Sequence, residues 1–521
     1  MGEIVVKKET GTGSFYLPTI YRHAQREVEK NLIEGEIDYA DLSFWSFPDE
    51  FFCFLLERKL FRFLDQTYPN PRIKNEIPVW FLVSCQLVMR LYQTGKYHHL
   101  RYLLNSGSIL TRFGFNVGSQ GKGFNEKNKK AREAIIDADS VRKFFKDTKP
   151  DAIRDWYHGD CQRWFHSQHA FGQHGLFILD QSHLVVPDNE NYSGAVKMPV
   201  DEHGQLYRHL PSLTKEQKKA LPYHRCYTFS TLLNVEVAQD LFHVAGYELG
   251  PGNEDELVQA ERLLDSFCRQ FPGTIKTLIV DRGYIDGEFI HKLKQTYSID
   301  VLVPLRKNMT AYIDAVTLAK LENKWETIEL QVNKQEQVML KKEIACVPDI
   351  ELWEPLKLHA LVTRYTSLNE HNDGYDEHYA VLVSTKKYTA PKQMVTHYDL
   401  RVSIEERFRQ FKRSWHITEF PSPHASLVES HVCFTLLTYS LLQLYLRRKE
   451  FQAQTHQLMD SLRRDEQLGK NAVVVYAKNN YAVFDLDDYT IRIAGMNETP
   501  RQRLIALMEK QKKDRIEKQK I

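Results

Sequence analysis

At 521 residues, with 42% hydrophobic and 26% charged side chains, the chain has the material for a large core, and its composition excludes wholesale disorder and collagen-like repeats. A net charge of +2, from 70 Lys and Arg against 68 Asp and Glu, gives no global attraction for a polyanion, so any nucleic-acid contact must come from local charge. Seven scattered cysteines without a Cys-x-x-Cys pair, and an N-terminus without the basic segment and apolar core of a secretory signal, fit a reduced cytoplasm.

Apolar residues recur at helical spacing from Phe51 to Leu103, beginning with Phe51, Phe54 and Leu55 and broken at Asn70-Pro71 and Gly95. A helical N-terminal region over residues 1–150, a candidate for DNA binding, is expected. Within it, Ile77 to Met89 is too short for a bilayer of about 30 Å, which needs roughly 20 helical residues, and reads as a buried helix. Gly114, Gly118, Gly121 and Gly123 lack the Gly-Lys-Ser/Thr ending of a phosphate loop, so residues 114–128 read as a basic connector. His158, Cys161, His166, His169 and His174 match no standard zinc spacing and read as groups on a helical surface.

The middle of the chain changes character. LFIL ahead of Asp180, TLIV ahead of Asp281 and VLVP after Asp300 are short apolar runs of the kind buried strands require, and Asp286 to Gln295 between the last two is helical. Strands alternating with helices predict a mixed α/β sheet covered on both faces, with functional groups at strand ends. Residues 151–307 and 387–447 would form this core. Between them, ETIELQV, QVMLKKEIACV and YAVLVST predict a separate β-rich insertion over 308–386.

Beyond the insertion, Gln393 to Trp415 reads as one long helix. Another follows from about Ser426 to Leu446, whose apolar part, Val432 to Leu446, is also too short to span a bilayer and reads as a buried helix. Residues 448–521 form a C-terminal region with a β-like segment, Ala472 to Leu486, and a final helix with eight basic and three acidic residues from Arg501 onward.

The helix with most chemistry is YDLRVSIEERFRQFK. With Arg401 at zero and about 100° per residue, Tyr398, Glu405 and Lys412 fall at ~60°, ~40° and ~20°, one narrow stripe. Ile404, Phe408, Phe411 and Trp415 fall at ~300°, ~340°, ~280° and ~320°, directly beside it. One face thus anchors the helix while its edge presents a carboxylate, two cations and a phenol. Arg and Lys grip phosphates, whereas Glu among them repels DNA unless a metal intervenes. An ordinary surface helix, with Arg401–Glu405 and Glu405–Arg409 pairs at four-residue spacing, has the same pattern.

Tyr398, Arg401, Glu405 and Lys412 match, at every spacing, the Tyr-x2-Arg-x3-Glu-x6-Lys signature of family-four insertion-sequence transposases, which the chain resembles. VDRGY at Val280 to Tyr284 and ILDQS at Ile178 to Ser182 look like that family's other two acidic blocks. The resemblance covers about residues 175–445. It implies a ribonuclease-H-like mixed sheet flanked by helices, with a β-rich insertion before the third carboxylate. The separations of 101 residues from Asp180 to Asp281 and 124 from Asp281 to Glu405 fit such a core. The stretch His183 to Tyr223 is longer than the usual hairpin, which leaves Asp188 as a weaker substitute for Asp180.

The same resemblance implies that Asp180, Asp281 and Glu405 hold two Mg²⁺ or Mn²⁺ ions, about 3.5 to 4 Å apart, for phosphodiester cleavage by water or a 3′-hydroxyl. Tyr398, Arg401 and Lys412 would hold phosphates near the transposon end, and Trp325 or Trp353 would offer a platform for a flipped base. The implied partners are double-stranded DNA and, since an element has two ends, a second copy of the chain. Two rivals stay open: a metal-dependent nuclease or resolvase on the same core, and a domesticated DNA-binding protein without catalysis. Ser182 beside His183 lacks the Gly-x-Ser-x-Gly elbow of a serine hydrolase.

Overall fold

A computed structural model divides the chain into two compact units, one of residues 1–149 and 453–521 and one of residues 150–452. It describes residues 22–45, 47–73, 77–100, 136–201, 221–237, 241–333, 338–353, 356–368, 374–449 and 470–518, with 206, 214, 216 and 217. The glycine-bearing connector at 114–128 lies outside the described residues.

The first unit opens with a two-residue strand β1 (Arg22–His23), helix α1 (Gln25–Ile33) and strand β2 (Tyr39–Trp45), so the N-terminal region is not purely helical. Helices α2 (Phe47–Glu57), α3 (Leu60–Thr67) and α4 (Val79–Leu91) occupy the stretch with helical apolar spacing, and α5 (Ala138–Asp147) follows. Asp137 caps α5 by accepting the backbone N–H of Asp139, which satisfies one of the free donors of its first turn.

The second unit begins with α6 (Pro150–Trp156), a π-helical turn over Tyr157–Cys161 and α7 (Gln162–Ser167). A meander follows, of β3 (Leu176–Val186), the short β4 (Val196–Pro199), β5 (Tyr223–Glu236) and β6 (Leu241–Pro251). Then come α8 (Glu256–Gln270), β7 (Thr277–Val280), α9 (Gly287–Tyr297) and β8 (Asp300–Pro304). β3 pairs antiparallel with β5 and parallel with β7, and β7 pairs parallel with β8. This is the mixed sheet, flanked by helices, that a ribonuclease-H-like core requires.

Side-chain alternation assigns the two faces. Phe177 and Leu179 of β3 join Leu263 and Phe267 of α8 and Ile290 and Leu293 of α9 in one core cluster. The even-numbered residues of β3, Asp180 and Ser182 among them, point to the other face.

Residues 308–386 differ from expectation in two ways. They begin with a helix, α10 (Thr310–Glu322), whose Ala311, Ala315 and Ala319 are buried at four-residue spacing. The strands β9 (Glu326–Val332), β10 (Val338–Trp353), β11 (Leu356–Leu368) and β12 (Tyr375–Ser384) do not form a separate sheet. β12 pairs with β8 through Leu382, Val383 and Ser384, which extends the core into a single ten-stranded sheet. The small alanines let α10 lie close on that extension.

The expected single helix over 393–415 is two, α11 (Pro391–Asp399) and α12 (Arg401–Arg413). At the junction the bonds tighten to three-residue spacing, Leu400 N–H to the His397 carbonyl at 3.3 Å and Ser403 N–H to the Leu400 carbonyl at 2.9 Å. The next helix, α13 (Ala425–Lys449), is the buried helix expected here, and it is longer than the apolar stretch Val432 to Leu446. Its 23-residue segment Ala425–Arg447 is long and apolar enough to span a bilayer by length and composition, yet 94% of its most apolar window is buried inside the unit. It packs on β6 and α6.

The chain then returns to the first unit with β13 (Lys470–Ala477), β14 (Asn480–Asp485), α14 (Leu486–Ala494) and the basic helix α15 (Glu498–Lys518). β13 pairs with β2 and β14 with β1, giving a four-stranded sheet in the order β1-β14-β13-β2. The two chain ends, expected to be separate regions at 1–150 and 448–521, thus share one sheet.

Candidate active site

Asp180 sits in the middle of β3, buried to 8% exposure, with its Oδ1 accepting the Gln181 N–H at 2.8 Å. Asp281 follows the last residue of β7, and its Oδ1 accepts the Arg282 N–H at 2.6 Å. The parallel register places Leu179 opposite Val280, and each aspartate comes one residue after this pair. Glu405 comes from α12, which packs on β3.

Helix α12 is held by the apolar stripe read from its periodicity: Ile404, Phe408, Phe411 and Trp415 are all buried. Phe408 and Phe411 meet Phe229 of β5 at 5.9 and 6.5 Å, and Phe411 and Trp415 meet Tyr439 of α13 at 5.1 and 6.0 Å. Burying such side chains stabilises by roughly 1.5 to 3 kcal/mol each, enough to fix the helix against the sheet.

The three carboxylates converge on one guanidinium. Arg401 Nη2 donates to Glu405 Oε1 at 2.6 Å, while Nη1 lies 3.8 Å from Asp180 Oδ2 and 3.7 Å from Asp281 Oδ2. Burial works against the charge of Arg401, but Asp281, Tyr398, Glu405 and Asp180 together hold its pKa above the ordinary value. Tyr398, at the end of α11, is pushed up to about 12, first by burial and then by the nearby Asp281 and Asp180, with the bonded Arg401 opposing. Lys412, two turns beyond Glu405, donates from Nζ to Ser182 Oγ at 2.7 Å, and burial lowers its pKa.

Not every candidate joins this cluster. Asp188 pairs with Lys197 at 2.9 Å and Arg225 at 3.2 Å, as an exposed surface group. Trp325 packs against Tyr379 and carries the Arg364 guanidinium 4.3 Å over its ring, so that face is not open to a base. The side chain of Trp353 falls outside what the structure describes. His158, expected on a surface, is buried, with Nε2 2.8 Å from the Tyr247 carbonyl.

Residue types alone did not single out Ser182 as the partner of Lys412. The period of two along a strand could have, since it places Ser182 on the same face as Asp180. Beside Asp281, the exposed Arg282 and Arg306 are joined by a 3.0 Å bond from Arg306 Nη2 to the Arg282 carbonyl, which adds positive charge at the ends of β7 and β8.

Residues 172–441, a little over half the chain, match the family described as Transposase DDE domain. The chain belongs to this family. Among curated proteins no match was found. The transposase domain spans β3 through most of α13 and contains all three converging carboxylates. The family is one of enzymes that cleave and transfer DNA, so a role as a transposase acting on DNA follows, and its members generally use divalent metal ions.

The donors here are hard carboxylate oxygens, the type such ions prefer. As placed, they are spaced around a guanidinium. Among the described residues no three His, Cys, Asp or Glu side chains stand close enough together to hold an ion directly. Arg401 is the cation that these three carboxylates face, and their hard oxygens are the donor chemistry that a divalent ion takes.

Proposed function

We propose that the protein is an insertion-sequence transposase of the family-four type, which excises its element by cut-and-paste and joins its 3′-hydroxyl ends to target DNA. The observation that carries this reading is the convergence on one cation of Asp180 from the middle of β3, Asp281 from just past the end of β7 and Glu405 from α12.

In this reading Asp180, Asp281 and Glu405 are the residues that would hold two Mg²⁺ or Mn²⁺ ions, and Asp180 is the most buried of the three. Bound there, the ions supply the charge that activates an attacking oxygen and stabilises the leaving one. The chain's own groups do the rest. Arg401 and Lys412 neutralise phosphates, the neutral phenol of Tyr398 donates a hydrogen bond to a phosphate oxygen, and the apolar anchor of α12 keeps these groups in register with the carboxylates. Arg282 and Arg306 extend the positive surface along which a duplex would lie. Two copies of the chain would serve the two ends of the element, in the cytoplasm beside the nucleoid.

The test is Glu405→Gln, assayed on a duplex carrying the element's terminal inverted repeat. Loss of Mg²⁺-dependent nicking with DNA binding retained is expected, because the substitution removes a metal ligand's charge and no phosphate contact. Undiminished nicking defeats the assignment. Wild-type protein that nicks but never joins a 3′-hydroxyl end to target DNA would be a nuclease instead.

A further inference from the structure

The position of Arg401 is unusual for a residue whose task is to hold phosphate. Its fork spans three carboxylates from three separate elements, and it is only 18% exposed, so its charge is spent inside the protein. Asp180 and Asp281 each come one residue after the paired Leu179 and Val280, and without a countercharge two or three ionised carboxylates in a partly buried site repel one another. A lysine could not serve in the same way, because a single ammonium is a point charge and a guanidinium offers donors along a planar edge.

We propose that Arg401 is the resident counter-cation of the site: it holds Asp180, Asp281 and Glu405 together while no metal is bound, and it must release them before divalent ions bind. This inference rests on the metal-binding reading of the three carboxylates. Arg401 and the ions compete for the same oxygens. A released Arg401 remains next to the site, on the first turn of α12, where its freed guanidinium faces the phosphate whose cleavage those oxygens support. The competition delays full metal loading until DNA supplies an anion for the arginine, so Arg401 is a positioning residue that couples DNA engagement to assembly of the metal site.

Binding of Mn²⁺ to the metal-free full-length protein, without DNA, tests this through the fall in the free-ion paramagnetic signal. Arg401→Gln should bind Mn²⁺ at least about tenfold more tightly than wild type, a difference of about 1.4 kcal/mol, because the competing cation is gone. Arg401→Lys should fall between the two. In chelator the Arg401→Gln protein should unfold at a lower temperature than wild type, and Mn²⁺ should restore more of that loss than it adds to wild type. Equal or weaker Mn²⁺ affinity in both variants overturns the counter-cation role while leaving the metal reading intact. If Asp281→Asn leaves Mn²⁺ binding unchanged, or no protein binds Mn²⁺, the metal reading itself fails and the inference with it.

Discussion

Lys412 donates a 2.7 Å hydrogen bond to Ser182, which ties the last cation of the α12 stripe to β3 two residues beyond Asp180. The partner is a neutral hydroxyl, and among the described residues no carboxylate pairs with this lysine. A half-buried ammonium without an anion is poorly compensated, and burial lowers its pKa accordingly. A phosphate at this position would supply the missing charge.

Lys412→Ala should therefore weaken binding to end DNA by roughly tenfold, about 1.4 kcal/mol, and Ser182→Ala, which keeps the charge, by less. Wild-type binding should also weaken as alkaline pH removes the lysine proton. Fluorescence anisotropy of a labelled duplex across pH checks both. Equal affinity for wild type and Lys412→Ala would place this lysine outside the interface.

Arg401→Ala should weaken end binding and flatten its salt dependence, the slope of log K against log salt falling by about 0.9 for one lost phosphate contact. The comparison needs divalent ion present, so that the carboxylates are neutralised in both proteins. An unchanged slope removes Arg401 from the DNA interface while leaving its grip on the carboxylates untouched.

The catalytic unit also depends on a buried ion pair that the chemistry does not use. Arg154 of α6 binds Glu429 of α13 at 3.1 and 2.7 Å, the Tyr247 hydroxyl donates to the same carboxylate at 2.7 Å, and Glu429 is 2% exposed. Arg154→Met should cost about 3 to 5 kcal/mol, because it strands a buried charge. Replacing both partners, Arg154→Met with Glu429→Leu, should recover most of that loss. Chemical denaturation of the three proteins measures it, and a double variant no more stable than the single one would show that the pair does not act as a unit.

These features were unevenly legible in the sequence. The α12 stripe was readable because its anchoring residues follow the helical period and its polar residues sit at the edge of the same face. The positions of Asp180 and Asp281 were readable because a strand buried on both faces is an unbroken apolar run, and each aspartate ends such a run. The break at Leu400 was not, since no proline or glycine marks it and both flanking helices keep right-handed backbone angles. α10 was missed because its buried face is Ala311, Ala315 and Ala319, which contrast weakly with their surroundings. The pairing of β12 with β8, and of β1 and β2 with β14 and β13, joins segments far apart in the chain, and local periodicity carries no record of such partners. Lys412 and Ser182 are 230 residues apart and were hidden for the same reason.

Acidification offers a test of the core that is independent of DNA. Burial lowers the pKa of His158 to about 4, with Arg154 adding to the effect and the Tyr247 backbone opposing it, and lowers that of His243 to about 3. In the unfolded chain both protonate near 6.5. Between the two sets of values the unfolded state binds protons that the folded state refuses, so stability is fully present above about pH 6.5 and falls as the pH drops toward 4. Each histidine should remove roughly 2 kcal/mol between pH 7 and pH 5. Glu248, whose pKa burial raises, works in the opposite direction and acts mainly lower in that range. His243 Nε2 lies 2.9 Å from Gln162 Oε1, so His243→Gln keeps a possible hydrogen bond while removing the titrating ring. It should flatten the pH dependence of the denaturation midpoint, since one contributor is gone, while His158, His23 and His397, whose pKa values burial also lowers, keep theirs. A wild-type midpoint that stays constant from pH 7 to pH 5 would mean that these rings are not held neutral by the fold.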